Sequence, residues 1–150
     1  MILISHRGNT NGKFESYENE PTYIDKAIQE GFDVEVDVWY VDSQLYLGHD
    51  KPQYGVDIRW FRDRITRLWI HCKNIEAIEF FTTLGYEFNF FWHENDVVTL
   101  TSKNYIWAYP GKQPILNSIS VLPEIFNDSI EKCLGVCSDY IINYKSKSRF

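Results

Sequence analysis

Cysteine is scarce in this chain, basic residues are in deficit, and long apolar runs are missing. The thiols are Cys72, Cys133 and Cys137. So odd and sparse a set excludes a disulfide framework and fits reduced side chains in a cytoplasm. Cys133 and Cys137 could share a zinc ion with other ligands, although their spacing is not that of a paired zinc motif. No run of about 18 apolar residues exists, so no membrane insertion is expected. The opening stretch Met1–Ser5 is too short and lacks the basic leader of a secretory signal. Lysine and arginine total 15 against 21 acidic residues, a net charge of −6. That balance argues against a nucleic-acid partner, because phosphate backbones select basic faces. A local cluster of cations can still hold a small phosphorylated substrate on an acidic protein.

The apolar fraction of 44% and the charged fraction of 24% are those of an ordinary globular protein. No linker, repeat or low-complexity tract divides the sequence, so residues 1–150 are expected to form a single domain. Short apolar runs ending in polar residues predict strands at Ile2–Ser5, Asp33–Tyr40, Leu68–Cys72, Phe88–Trp92, Val97–Thr101, Tyr105–Tyr109, Ser118–Leu122 and Val136–Ile142. Gln44–Leu47 reads as an added strand pairing back on the second. Helical periodicity covers Thr22–Glu30 and Ile75–Leu84, stopped by Gly31 and Gly85. Arg59–Ile65 and Pro123–Cys133 are weaker helical patterns. Alternation of strands and helices predicts an α/β fold, a reduced (β/α) barrel of TIM type. Such barrels typically need about 250 residues, so several outer helices must be missing or shortened. An open, mostly parallel sheet is the alternative.

The second strand carries the first chemical signal. Asp33-Val34-Glu35-Val36-Asp37-Val38 puts valines on one face and carboxylates on the other. In a parallel sheet buried on both sides, unpaired carboxylates cost several kcal/mol each, on the order given by transfer scales. A divalent cation is the natural compensation. All four histidines, His6, His49, His71 and His93, fall at or just after strand ends. In a βα barrel those ends converge on the face where active sites are built. His71 and Lys73 share a face of their strand. Two histidines for proton transfer, a metal on carboxylates, and the charges of Arg7 and Lys73 are the parts that phosphodiester cleavage requires.

These residues resemble the glycerophosphodiester phosphodiesterases and the wider superfamily that includes phosphatidylinositol-specific phospholipase C-like barrels. The family's opening motif appears as His6-Arg7-Gly8, its helix start as Glu18-Asn19-Glu20 with Ala27, its metal strand as Glu35-Val36-Asp37, and its second histidine as His49-Asp50. The resemblance covers the first half of the chain. It implies His6 and His49 as the acid–base pair, Glu35 and Asp37 as metal ligands, and Arg7 on the phosphate. Where the family has Glu-x-Lys, this chain has His71-Cys72-Lys73, so His71 replaces the third carboxylate ligand. Mg²⁺ or Ca²⁺ is the expected ion, with Mn²⁺ or Zn²⁺ admitted by the imidazole. Gly135–Ile141 resembles the closing segment of the family, which places Asp139 near the site to orient a basic group.

The middle of the chain does not match the family closely. Trp107 lies either over the substrate or in the core or rim, and His93 with Glu94 is a candidate addition to the metal shell. The expected function is hydrolysis of a small phosphodiester, with cyclising attack by a substrate hydroxyl as a variant. The competing readings are a non-catalytic binding protein for a phosphorylated metabolite and a zinc hydrolase with three histidines on one ion. A homodimer is a further expectation, since missing outer helices leave apolar surface for a second subunit to cover.

Overall fold

The computed structural model describes residues 1–85 and 87–149, with the side chains of 148 and 149 undescribed. Its strands are β1 (Ile2–His6), β2 (Asp33–Val41), β3 (Gln44–Leu47), β4 (Tyr54–Val56), β5 (Leu68–Cys72), β6 (Asn89–Phe91), β7 (Val98–Leu100), β8 (Ile106–Ala108), β9 (Ser118–Val121) and β10 (Gly135–Ser138). Three helices, α1 (Pro21–Gln29), α2 (Ile58–Arg62) and α3 (Ile75–Thr83), and a C-terminal 3-10 stretch over Ile141–Arg149 complete it. No helix among the described residues is long and apolar enough to cross a membrane.

The strands form one mixed sheet curled into an open half-barrel. From one edge inward, β6, β5, β2, β1, β10, β9 and β8 run parallel. The reduced TIM-type barrel expected from the sequence is therefore wrong. The reason lies in the short links. A parallel crossover takes about a dozen residues or more. Residues 101–105 between β7 and β8 allow only a hairpin, so β7 pairs antiparallel to β8. No strand ladder joins β6 to that end of the sheet among the described residues. Helices make up 21% of the chain, too little to wrap a full barrel. The Pro123–Cys133 pattern forms turns rather than a helix, and β4 extends the β2–β3 hairpin.

Strand β2 is the organising element. Its residues 33–35 pair with β1, 34–38 with β5 and 38–41 with β3. Val34, Val36 and Val38 point to the convex face, fully buried with Ile24 and Ala27 of α1 and Ala77 and Phe81 of α3. Both helices are capped by the residue that precedes them. Glu20 accepts from the Thr22 and Tyr23 amides, and Asn74 accepts from the Ala77 amide at 3.1 Å. Asn74 also bonds both the amide and the carbonyl of Tyr40, tying α3 to the end of β2. The concave face is lined by Ile4, Trp69, Phe91, Trp107, Ile119 and Cys137, a second apolar cluster below the strand ends.

Phe81 is fully buried and meets Phe61 and Phe88 edge-on at 5.6 and 5.4 Å between centroids. Phe81→Ala is expected to cost about 3–5 kcal/mol of stability, read as a lowered denaturant midpoint with unchanged slope.

Candidate functional site

The strand ends on the concave side bring together the residues singled out by pattern. Register explains how. His6 pairs with Glu35 across β1 and β2, and Asp37 with His71 across β2 and β5. The period-two rule then puts Glu35, Asp37 and His71 on one inner face. His49 arrives from the hairpin. The Gly48 amide donates to the Asp37 carbonyl at 3.1 Å, and the Trp39 indole donates to the Gly48 carbonyl at 2.7 Å. Gly48 has φ 153°, and a Cβ there would overlap the Lys51 carbonyl, so this turn requires glycine. Gly8 has φ 96°, and its Cβ would lie 2.6 Å from the Tyr23 ring. That close approach seats the loop after β1 against α1.

Asp37 is fully buried and Glu35 is 2% exposed. Asp37 Oδ2 is heavily engaged: Arg7 Nε lies at 3.0 Å, the Asn19 amide donates at 2.9 Å, and His49 Nδ1 approaches to 3.5 Å. Asp37 Oδ1 and Glu35 Oε2, by contrast, are buried with no hydrogen-bond donor. One ligand atom each from Glu35, Asp37 and His71 lies within 4.8 Å of the others. His71 Nδ1 is 3.3 Å from Asp37 Oδ1 and 3.7 Å from Glu35 Oε1. Its Nε2 donates to the His93 carbonyl at 2.8 Å. In the neutral ring that bond leaves the Nδ1 lone pair facing the carboxylates, as a metal-ligating imidazole needs. Donor types, spacing and orphaned oxygens all fit a divalent cation.

Charge sets the protonation states. Burial alone would raise the Asp37 carboxyl, but the imidazoles of His49 and His71 and the Arg7 guanidinium hold it well below the usual carboxylate range. Burial pushes the His71 ring down, and Asp37 and Glu35 outweigh it, lifting its pKa to about 9. Without an ion, the imidazolium of His71 supplies the compensating charge.

His6 belongs to a separate dyad. Its Nδ1 lies 2.7 Å from Asp139 Oδ1, and its Nε2 lies 3.8 Å from Glu35 Oε2. Burial disfavours the charged ring, but Asp139 and Glu35 raise its pKa overall. Asn9 donates to Asp139 at 2.9 Å and to Glu18 at 2.6 Å, and Glu18 in turn meets Arg7 at 3.4 Å. His6, Glu18 and Asp139 could also group around an ion, but Asn9 and the His6 ring already satisfy them.

A cavity of about 350 Å³ opens over these groups, and His6, Arg7, Glu35, His49, His71 and Lys73 line one side of it. Trp107 is 4% exposed and packs on Phe91 at 4.7 Å, so it forms part of the cavity wall rather than a lid. His93 and Glu94 line the cavity, but the His93 ring stacks on Tyr109 at 3.9 Å and its Nε2 meets the Asp96 carbonyl. Burial lowers its pKa. It enters no ligand cluster among the described residues, and no cluster there gathers three histidines or includes Cys133 or Cys137. Asn9 is not legible from pattern because its role comes from joining Glu18 to Asp139, which meet only in the folded chain. Tyr109 was readable, since it shares the Trp107 face two residues on. No family model matches the chain, and no curated protein or solved structure matches it either.

In the metal-free protein, an NMR titration is expected to show the His71 ring losing its proton near pH 9, and markedly lower in Asp37→Asn. The sign of the linkage follows. Stability from protonated His71 is complete below about pH 6.5, the ordinary histidine value. It is lost as the pH rises through about 9. His71→Asn should flatten that part of the stability profile.

Proposed function

We propose that this chain is a metal-dependent hydrolase of small phosphodiesters, similar in its chemistry to the glycerophosphodiester phosphodiesterases. The observation that carries the reading is the pair of buried, unpartnered oxygens on Glu35 and Asp37. They lie beside His71 and next to a carboxylate-backed His6. Glu35, Asp37 and His71 would hold the ion, Mg²⁺ or Ca²⁺ by the carboxylates, with Mn²⁺ or Zn²⁺ suited to the imidazole. The ion would supply positive charge to the phosphoryl oxygens.

The protein groups divide the remaining work. With its Nδ1–H directed at Asp139, His6 offers the Nε2 lone pair to the cavity, as a general base for the attacking oxygen. His49, more exposed and beside Arg7 at 3.5 Å, protonates the leaving oxygen. Arg7 and Lys73 line the cavity and draw the anionic substrate. Arg7 is shared with Asp37 and Glu18, so its first effect is to hold the carboxylates in place. Water as nucleophile gives hydrolysis; a substrate hydroxyl would give a cyclic phosphate. The three cysteines are unpaired, which suits a reducing cytoplasm. Binding without turnover is the second reading, favoured by the loss of one carboxylate at His71. The His6–Asp139 dyad weighs against it, since binding alone needs no base.

Purified protein with a chromogenic phosphodiester, assayed with chelator and with each ion in turn, is expected to show metal-dependent turnover. His6→Ala should lower kcat by about 10²–10⁴-fold, and Glu35→Ala should abolish the metal response while the fold persists by circular dichroism. No turnover with any ion, in folded protein that still binds metal and phosphate esters, would transfer the assignment to the binding reading. Phosphorus NMR of the product separates hydrolysis from cyclisation.

Asp139 raises the His6 pKa, and a base acts deprotonated. Asp139→Asn is therefore expected to shift the ascending limb of the pH–rate profile to lower pH and to reduce kcat, while metal affinity holds. A limb that stays in place would exclude His6 as the base.

A further inference from the structure

The site is chemically lopsided. Arg7 and His49 line two adjoining spaces at once. In the larger, Trp107, Tyr109, Pro110, Val121 and Leu122 form an uncharged stretch of the wall, with His93 and Glu94 beside it. The smaller space, about 230 Å³, is bounded by Lys13, Glu15, Asn19, Lys51 and Gln53, all polar.

The apolar wall is built rather than incidental. Tyr109 is braced by its stack on His93, and Trp107 by Phe91. Leu122 sits at φ 46°, in the left-handed region that a bulky side chain rarely adopts. Its amide is held by the Cys137 carbonyl at 2.7 Å. Strained backbone of this kind persists where the surroundings over-determine it and clusters at ligand clamps. Here it lies at the end of β9, where Leu122 reaches the cavity.

We propose that the substrate is an asymmetric phosphodiester in which one alcohol is flat and apolar, an aromatic alcohol, seated against Tyr109, Pro110 and Leu122. The inference rests on the phosphodiesterase reading and specifies its substrate. The phosphate lies between the two spaces, against Arg7 and His49. The apolar alcohol takes the uncharged stretch of the larger space, and the second alcohol points toward the polar one. A hydroxylated group in the larger space would forfeit its bonds to water and find few replacements on that wall.

The test is calorimetric binding of phenyl phosphate and methyl phosphate to the metal-loaded full chain. Phenyl phosphate is expected to bind about tenfold more tightly or better, from the apolar area of the ring alone. Leu122→Gly removes the side chain at a φ that glycine adopts freely, so the fold should hold. This variant should cut the phenyl preference several-fold and leave methyl phosphate unchanged. Equal affinities in the parent protein, or a phenyl preference untouched by Leu122→Gly, overturn the proposal and leave the phosphodiesterase reading standing. Binding of neither ester would remove the phosphate site itself, and the proposal with it.

Discussion

Two carboxylates buried on the inner face of one strand are the constraint from which the rest of this structure follows. Glu35 and Asp37 are almost wholly removed from water, and unpaired charges in such a place are not tolerated. The surroundings answer with cations and donors brought from distant parts of the chain. Arg7 reaches Asp37 from the end of β1, Asn19 from the start of α1, His71 from β5 and His49 from the hairpin. Each must arrive within a few ångströms, so each fixes the element that delivers it. Asp37 is in this sense structural even where its chemistry is functional. One of its oxygens is held by Arg7 and Asn19, and the other faces only the His71 ring, at 3.3 Å.

The same strand does the opposite on its other side. Three valines bury themselves under α1 and α3, and this apolar face offsets the electrostatic cost of the inner one. The two faces are coupled by the pleat: a slip of one residue in register would place carboxylates in the helix-packed core. Pairing of β2 with three different strands along its length makes such a slip costly.

Alternation along Asp33–Val38 was legible because side chains in a strand alternate whatever the tertiary fold. The positions of His6, His49 and His71 at strand ends were legible for the same reason, as were α1 and α3, with glycines just beyond their last turns. Barrel closure was not legible in that way. Strand direction is absent from an apolar pattern, so β7 looked like its parallel neighbours, although the short link 101–105 carried the contrary information. Pro123–Cys133 has apolar residues at roughly helical intervals, yet it forms turns that cross from β9 to β10. Asn9 owes its place to Glu18 and to Asp139, 130 residues on, and Leu122 to its backbone geometry, which composition does not reveal.

One detail at the edge of the sheet has a dynamic consequence. Between β6 and the β7–β8 hairpin, Ser102 stands in for a strand. Its amide donates to the Phe90 carbonyl at 2.8 Å, its hydroxyl oxygen accepts the Phe90 amide at 3.0 Å, and the same hydroxyl donates to the Phe88 carbonyl at 2.9 Å. A single residue thus fastens a seam that a closed barrel would secure with a full ladder. Opening there breaks few bonds, so amide exchange at Phe90 should proceed by local gaping rather than global unfolding. The seam runs beside Phe91 and Trp107, whose rings meet across it. The Trp107 wall of the cavity therefore borders a joint of the sheet that three hydrogen bonds from one residue hold.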